Sequence, residues 1–64
     1  DPLKFYRAIL RFACDALAPG GKIYFEINPL YADNLKSLAD SLGFHDVELI
    51  RDSFGKIRFA KIAR

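Results

Sequence analysis

Apolar residues recur at helical spacing in the first quarter of the chain, and this pattern predicts a helix over residues 3–17. Steps of three and four residues define two neighbouring stripes, which are Leu3, Tyr6, Leu10, Ala13 and Leu17, and Phe5, Ile9, Phe12 and Ala16. Asp1 is the predicted N-cap, with Pro2 at the first helical position, where its missing N–H costs nothing. So wide an apolar surface predicts a helix that is covered on more than one side.

A Pro-Gly-Gly turn at positions 19–21 separates this helix from a predicted strand over residues 22–27. Alternation places Ile23, Phe25 and Ile27 on one face, and Tyr24 and Glu26 on the other. Because a tyrosine ring can cover apolar surface, we expect this strand to be buried on both faces, as strands of α/β sheets are.

A second helix is predicted after Asn28, which is a cap residue followed by Pro29 in the first turn. Its apolar stripe consists of Tyr31, Leu35, Leu38, Ala39 and Leu42. Gly43 fits the left-handed position that ends many helices, and Phe44 is then expected to pack back on the last turn.

The remaining residues predict a hairpin, with strands over residues 46–51 and 56–63 and a turn at 52–55. Ile57 and Phe59 face one way in the last strand, and Ala60 and Ile62 face the other. Apolar residues on both faces are typical of a central strand. The predicted fold is therefore α/β, in the order helix-strand-helix-strand-strand, with the last strand central and antiparallel to its neighbours.

Composition narrows the class of protein. The chain has 64 residues, enough for one small core, and its 52% hydrophobic content argues against disorder. It contains no apolar run near the roughly 20 residues of a membrane span. Its single cysteine, Cys14, excludes an intramolecular disulfide and favours a cytoplasmic location. The net charge of +2 comes from basic residues spread along the chain, which does not favour nucleic-acid binding.

Few residues are candidates for chemistry. Gly20 and Gly21 follow a helix and precede a strand, the reverse of a dinucleotide-binding loop, so they predict a tight turn. His45 has no second ligand at metal spacing and is interpreted as a loop residue, and Cys14 as a small buried hydrophobe. Glu26 and Asn28 lie where the first strand ends, the end at which α/β sheets bind ligands, and are candidates for a pocket rim.

The sequence Asn-Pro-Leu-Tyr at positions 28–31 allows two interpretations. It resembles the Asn-Pro-Pro-Tyr signature of amino-group methyltransferases, in which the asparagine side chain and a proline carbonyl accept hydrogen bonds from the substrate NH₂. The third residue here is leucine, however. The alternative is that Asn28 caps the second helix and Pro29 occupies its first turn.

Several segments together resemble the C-terminal end of the release factor glutamine methyltransferases. The start of that region is similar to Asp1 with the run Leu-Lys-Phe-Tyr-Arg-Ala-Ile at 3–9. Its turn and strand are similar to Leu-Ala-Pro-Gly-Gly-Lys at 17–22 with Phe-Glu at 25–26. The final hairpin of the family is similar to three further segments, which are Leu-Gly-Phe at 42–44, Asp-Val at 46–47 and Arg-Asp-x-x-Gly-Lys-x-Arg at 51–58. Pro2 and Ile57 depart from the family pattern.

The resemblance implies that residues 1–64 are a C-terminal fragment of a Rossmann-like catalytic domain, holding its fifth, sixth and seventh strands. The full protein would use S-adenosylmethionine to methylate a glutamine side chain of a peptide chain release factor. Its glycine-rich cofactor loop and Asn-Pro-Pro-Tyr motif, which follows the fourth strand, have no counterpart here. The resemblance therefore assigns no catalytic, cofactor-binding or metal-binding residue to this chain, and we expect the chain alone to be inactive and to bind no cofactor.

Two other functions stay open on the sequence alone. One is a piece of an adenine or other amino-group methyltransferase that acts on nucleic acid, and the other is a stand-alone α/β binding module without activity. In the fragment interpretation, strand 22–27 has lost a neighbour and offers unpaired backbone groups on an aromatic, β-branched segment. We therefore expect the chain to self-associate through that edge.

Overall fold

A computed structural model describes all 64 residues and contains the predicted elements in the predicted order. They are helix α1 (Lys4–Ala16), strand β1 (Lys22–Glu26), a single 3₁₀ turn (Pro29–Tyr31), helix α2 (Ala32–Ser41), strand β2 (Asp46–Arg51) and strand β3 (Ile57–Ala63). Neither helix has the length and apolar character of a membrane span.

The three strands form one sheet in the order β1-β3-β2, and β3 is antiparallel to both neighbours. Ala60 lies opposite Phe25 of β1 and Leu49 of β2. The predicted central position of the last strand is therefore confirmed. Because β1 and β2 both run against β3, they run parallel to each other.

The core lies between the two helices and one face of this sheet. Ala60 and Ile62 of β3 are fully buried there, as are Leu10 of α1 and Leu35 of α2. The other buried residues of this single apolar cluster are Ala13, Phe25, Ile27, Ala32, Ala39 and Phe44.

The other face of the sheet is open, which corrects the prediction that β1 is buried on both sides. Tyr24 is 63% exposed and Phe59 of β3 is 43% exposed. Glu48 and Lys61 pair on this face at 2.9 Å between Oε1 and Nζ, and the hydrogen bond that Lys61 donates to Glu48 raises the pKa of Lys61. The physical reason is that the buried side chains of both helices join one cluster on the opposite face.

Helix α1 also differs from its prediction. Phe5 and Phe12 are largely exposed, so only one of its two apolar stripes is covered. Asp1 is not the N-cap: Leu3 holds that position, and Pro2 precedes the helix. The Asp1 carboxylate instead accepts a hydrogen bond from the Leu3 N–H at 3.0 Å and pairs with Arg7, so it fixes the turn that leads into the helix.

The end of α2 forms as predicted. Gly43 has a φ of +90°, the left-handed conformation that suits glycine. Its N–H donates to the Asp40 carbonyl at 3.0 Å, and the Phe44 N–H donates to the Ala39 carbonyl at 2.9 Å. These are the two hydrogen bonds of a Schellman motif, which leaves Phe44 buried against the core.

β1 is an edge strand of the sheet, as is β2, because each of them pairs with β3 alone. Beside β1 lies a shallow groove lined only by apolar side chains of α1, the following turn and β1, which are Ile9, Phe12, Ala13, Ala16, Leu17 and Ile23. An unpaired strand next to exposed apolar surface is a template for pairing with another chain.

The central position of β3 predicts the order of amide exchange. Amides of β3 alternate between partners on its two sides, whereas alternate amides of β2 point away from the sheet. Native-state hydrogen exchange read by NMR should therefore show slower exchange across residues 57–62 than across 47–50. Slower exchange in β2 would contradict the topology.

For the isolated chain we propose that a second copy pairs with the β1 edge. Antiparallel pairing centred on Tyr24 would set Lys22 opposite Glu26 of the other copy, so the charges are complementary. Tyr24→Lys should weaken the dimer because two lysines would then meet at the two-fold axis. Sedimentation over a concentration series measures this, with Asn34→Lys on exposed helix surface as the matched control. A monomer at millimolar concentration would contradict the proposal.

Candidate functional site

The carboxyl ends of β1 and β2 meet at one edge of the sheet. Glu26 lies opposite Phe59 and Arg51 lies opposite Ile57, so both strands end at the level where β3 begins. In open α/β sheets, ligands bind outside the carboxyl ends of parallel strands. This carboxyl edge is therefore the candidate functional site.

Glu26 is the last residue of β1 and lies on this edge, as predicted. Its backbone carbonyl accepts a hydrogen bond from the Tyr6 hydroxyl at 3.0 Å. The Tyr6 ring also packs edge-on against Phe25, with ring centroids 5.0 Å apart, so α1 fixes the position of the strand end. The Glu26 side chain is exposed and forms none of the four ion pairs of the chain. Its carboxylate is thus available to a ligand at the edge.

Asn28 lies two residues further along the same edge. Its side-chain oxygen accepts a hydrogen bond from the Leu30 N–H at 3.0 Å and caps the 3₁₀ turn that Pro29 begins. An amino-group methyltransferase signature would direct that oxygen to the substrate NH₂. The structure therefore favours the capping interpretation of Asn28.

The β2–β3 hairpin projects from the same edge, and Asp52 organises it. One carboxylate oxygen accepts hydrogen bonds from the N–H groups of Phe54 at 2.8 Å and Lys56 at 3.1 Å. The other accepts from Arg58 Nε at 2.8 Å. Arg51 closes the turn by donating to the Gly55 carbonyl at 2.7 Å. Each named residue of the Arg-Asp-x-x-Gly-x-x-Arg motif thus belongs to one network.

This network changes the acidity of Asp52. The hydrogen bond from Arg58, followed by those from the Lys56 and Phe54 amides, holds the pKa of its carboxyl below the ordinary value. The ionised form is favoured because all of these donors bind the carboxylate. At neutral pH the hairpin therefore contains a charged Asp52.

The opposite edge carries a pair that the sequence analysis missed. His45 Nδ1 contacts the Asp40 carboxylate, and His45 lies in the loop after α2, as predicted. Gly43 reverses the chain between them, and five residues of separation do not reveal such a contact. Both side chains are about 70% exposed, and no group of three metal-ligating residues is present. The pair has no third group that would make it a metal or nucleophile site.

Cys14 lies on α1 and contacts the end of α2. Its side chain is half-buried, and its Sγ donates to the Leu42 carbonyl at 3.6 Å. The thiol thus joins α1 to the end of α2, in agreement with a packing role.

The Gly-Gly turn at positions 20–21 is packed against its own chain and does not form a cradle for a phosphate group. A Cβ atom added to Gly21 would lie 2.5 Å from Leu17 Cδ1 and 2.9 Å from the Ala18 carbonyl oxygen. Gly21 therefore serves the close approach of the end of α1 to its own turn, not the approach of a ligand. This turn is also at the start of β1, at the edge opposite to the carboxyl edge.

The lowered pKa of Asp52 predicts how stability depends on pH. Since the folded-state pKa is depressed, the carboxylate stabilises the fold above its unfolded pKa of about 3.9, and this contribution disappears as pH falls through the folded pKa. Asp52→Asn should lower stability at neutral pH, and its difference from the unmodified chain should shrink in acid. Urea unfolding at several pH values measures this, with the unpaired Asp15→Asn as control. An NMR-titrated Asp52 pKa at or above the ordinary value would contradict it.

Comparison with known proteins gives one clear relationship. No family model and no solved structure matches the chain. Among curated proteins, it is 45% identical over 58 residues to the release factor glutamine methyltransferase of Bacteroides thetaiotaomicron. The match covers 91% of this chain and 21% of that relative, so the chain spans about a fifth of the length of the curated relative it matches. This identity agrees with the resemblance of its motifs, and together they support the interpretation of the chain as a segment of a release factor glutamine methyltransferase.

Proposed function

We propose that this chain is the C-terminal segment of an enzyme that transfers a methyl group from S-adenosylmethionine to a glutamine side chain of a peptide chain release factor. The observation that carries the proposal is the 45% identity over 91% of the chain to an enzyme named for that reaction. Its single, half-buried cysteine suits the reducing cytoplasm in which we place the enzyme.

The chemistry explains why a segment without catalytic residues still matters. A glutamine amide nitrogen is a weak nucleophile because its lone pair is delocalised into the carbonyl. Catalysis then depends on accepting hydrogen bonds from the NH₂ and holding it in the reactive orientation, which is mainly positioning. In this proposal the segment contributes three strands and one rim of the site, with Glu26 and Asn28 at that rim and no group at the reacting atoms.

The open surfaces of the chain support this assignment. Three surfaces of the chain are uncovered although its core is packed. They are the free edge of β1, the apolar groove beside it and the exposed sheet face around Tyr24. In the full-length enzyme we assign these surfaces to contacts with the rest of the polypeptide. A stand-alone binding module would instead be expected to cover its edges.

Segment exchange tests the proposal. In the Bacteroides thetaiotaomicron enzyme, the 58 aligned residues are replaced by those of this chain, and methylation of its release factor is followed by mass spectrometry. The chimera should fold and methylate the release factor at the same glutamine as the unmodified enzyme. The isolated chain, assayed in parallel by calorimetry, should bind no S-adenosylmethionine.

Two controls separate the alternatives. The same exchange with an equally long segment of an adenine methyltransferase should abolish activity, which shows that the assay requires a family-matched segment. A folded chimera that methylates adenine in DNA and leaves the release factor unmodified would favour the nucleic-acid alternative. Saturable cofactor binding by the isolated chain would contradict the absence of a cofactor site.

A further inference from the structure

Phe54, at the tip of the β2–β3 hairpin, is the most exposed large apolar residue of the chain, with 89% of its surface accessible. A single exposed apolar side chain is common and needs no explanation by itself. Three further observations, on the rigidity, location and charge of the hairpin tip, indicate that Phe54 belongs to a binding surface.

The tip is held in one conformation by its own polar groups. The Asp52 carboxylate accepts a hydrogen bond from the Phe54 N–H. The backbone N–H of Asp52 donates to the Lys56 carbonyl at 2.7 Å. The Gly55 N–H donates to the Asp52 carbonyl at 3.0 Å, and its carbonyl accepts from Arg51. These bonds fix the backbone on both sides of Phe54, while its ring contributes nothing to the core. An aromatic ring on a pre-organised turn loses little conformational entropy when it binds.

The tip also lies at the carboxyl edge of the sheet. The Ile27 N–H donates to the Arg58 carbonyl at 2.8 Å, which ties the end of β1 to the base of the hairpin. From this end of β1 the chain passes to Leu30, which is 73% exposed. The two connections that leave this edge thus each present one exposed, large apolar side chain.

The charges around the tip are mostly positive. Three cations, Arg51, Lys56 and Arg58, surround one acid, Asp52, and Asp52 is paired with Arg58 at 2.8 Å. The remaining positive charge favours a partner surface that carries carboxylates. Aromatic residues and arginines are also the side chains that most often dominate the binding energy of protein interfaces.

We propose that Phe54 is a docking anchor that inserts into an apolar socket, bordered by carboxylates, on the folded body of the acceptor protein. It binds this surface away from the glutamine that is methylated, and Arg51 and Lys56 face the acidic border. The inference rests on the proposed function, and it adds a specificity-determining contact to it. Phe54 is a positioning residue and touches no reacting atom.

Kinetics of the full-length chimera test the anchor. Phe54→Ala should raise KM for the release factor about thirtyfold, the effect of truncating an interface hot spot, and leave kcat unchanged. KM for S-adenosylmethionine and KM for a short glutamine peptide should not change, because the proposed contact of Phe54 is with the folded body of the release factor. Phe54→Tyr should restore most of the affinity, and Ser53→Ala in the same turn is the matched control. An unchanged KM for the release factor, or an equal rise in KM for the cofactor, would overturn the proposal.

A second readout separates this proposal from the proposed function. A photo-crosslinking phenylalanine analogue at position 54 of the chimera should capture the release factor, and the same group at exposed position 34 of α2 should not. This result does not require an active chimera, so an inactive chimera that still crosslinks overturns only the assigned reaction. An active chimera without crosslinking from position 54 overturns only the anchor.

Discussion

The structure depends on the burial of Ala60 and Ile62 in β3, the strand that bonds to both of the others. Neither β1 nor β2 has another strand partner, so the sheet exists only if β3 lies between them. Ala60 is small and sits between Phe25 and Leu49, while Ile62 is fully buried. Truncating a buried side chain such as Ile62 to alanine costs about 2–5 kcal/mol. A domain of this size has only ~3–10 kcal/mol of stability in total, so this one layer of contacts determines whether the chain folds.

Burial on a single face gives the molecule its unequal surfaces. Both helices cover the face that contains Ala60, and the opposite face keeps Tyr24 and Phe59 largely exposed. The free β1 edge and the apolar groove beside α1 add to this exposed apolar surface. A chain that spans about a fifth of its curated relative, and that leaves such surfaces open, is consistent with a segment that packs against more protein.

The motifs that resemble the methyltransferase family have structural roles in this segment. Tyr6 positions the end of β1, Gly21 allows the end of α1 to approach its turn, and Asp52 fixes the hairpin. Each of these residues therefore acts on the conformation of the chain itself. The same fold places Glu26, Asn28 and Phe54 at one edge of the sheet.

Local sequence patterns were sufficient to predict every helix and strand, the Gly43 helix end, the hairpin turn and the central position of β3. The helices, the helix end and the turn depend on hydrogen bonds and periodicities within a few residues. The position of β3 could be predicted because apolar residues on both faces of a strand indicate neighbours on both sides. Glu26 and Asn28 were also predicted at the edge, because the end of a strand can be located from its alternation.

Only the tertiary structure decided which apolar faces are covered and which distant groups meet. Tyr24 and Phe12 have the sequence pattern of buried residues, yet they are exposed. Tyr24 is exposed because both helices pack on the other face of the sheet, and Phe12 because no element covers its side of α1. The contact of His45 with Asp40 and the hydrogen bond from Tyr6 to Glu26 likewise depend on how the chain reverses and packs. Periodicity determines which side of an element is apolar, whereas the presence of a partner determines whether that side is buried.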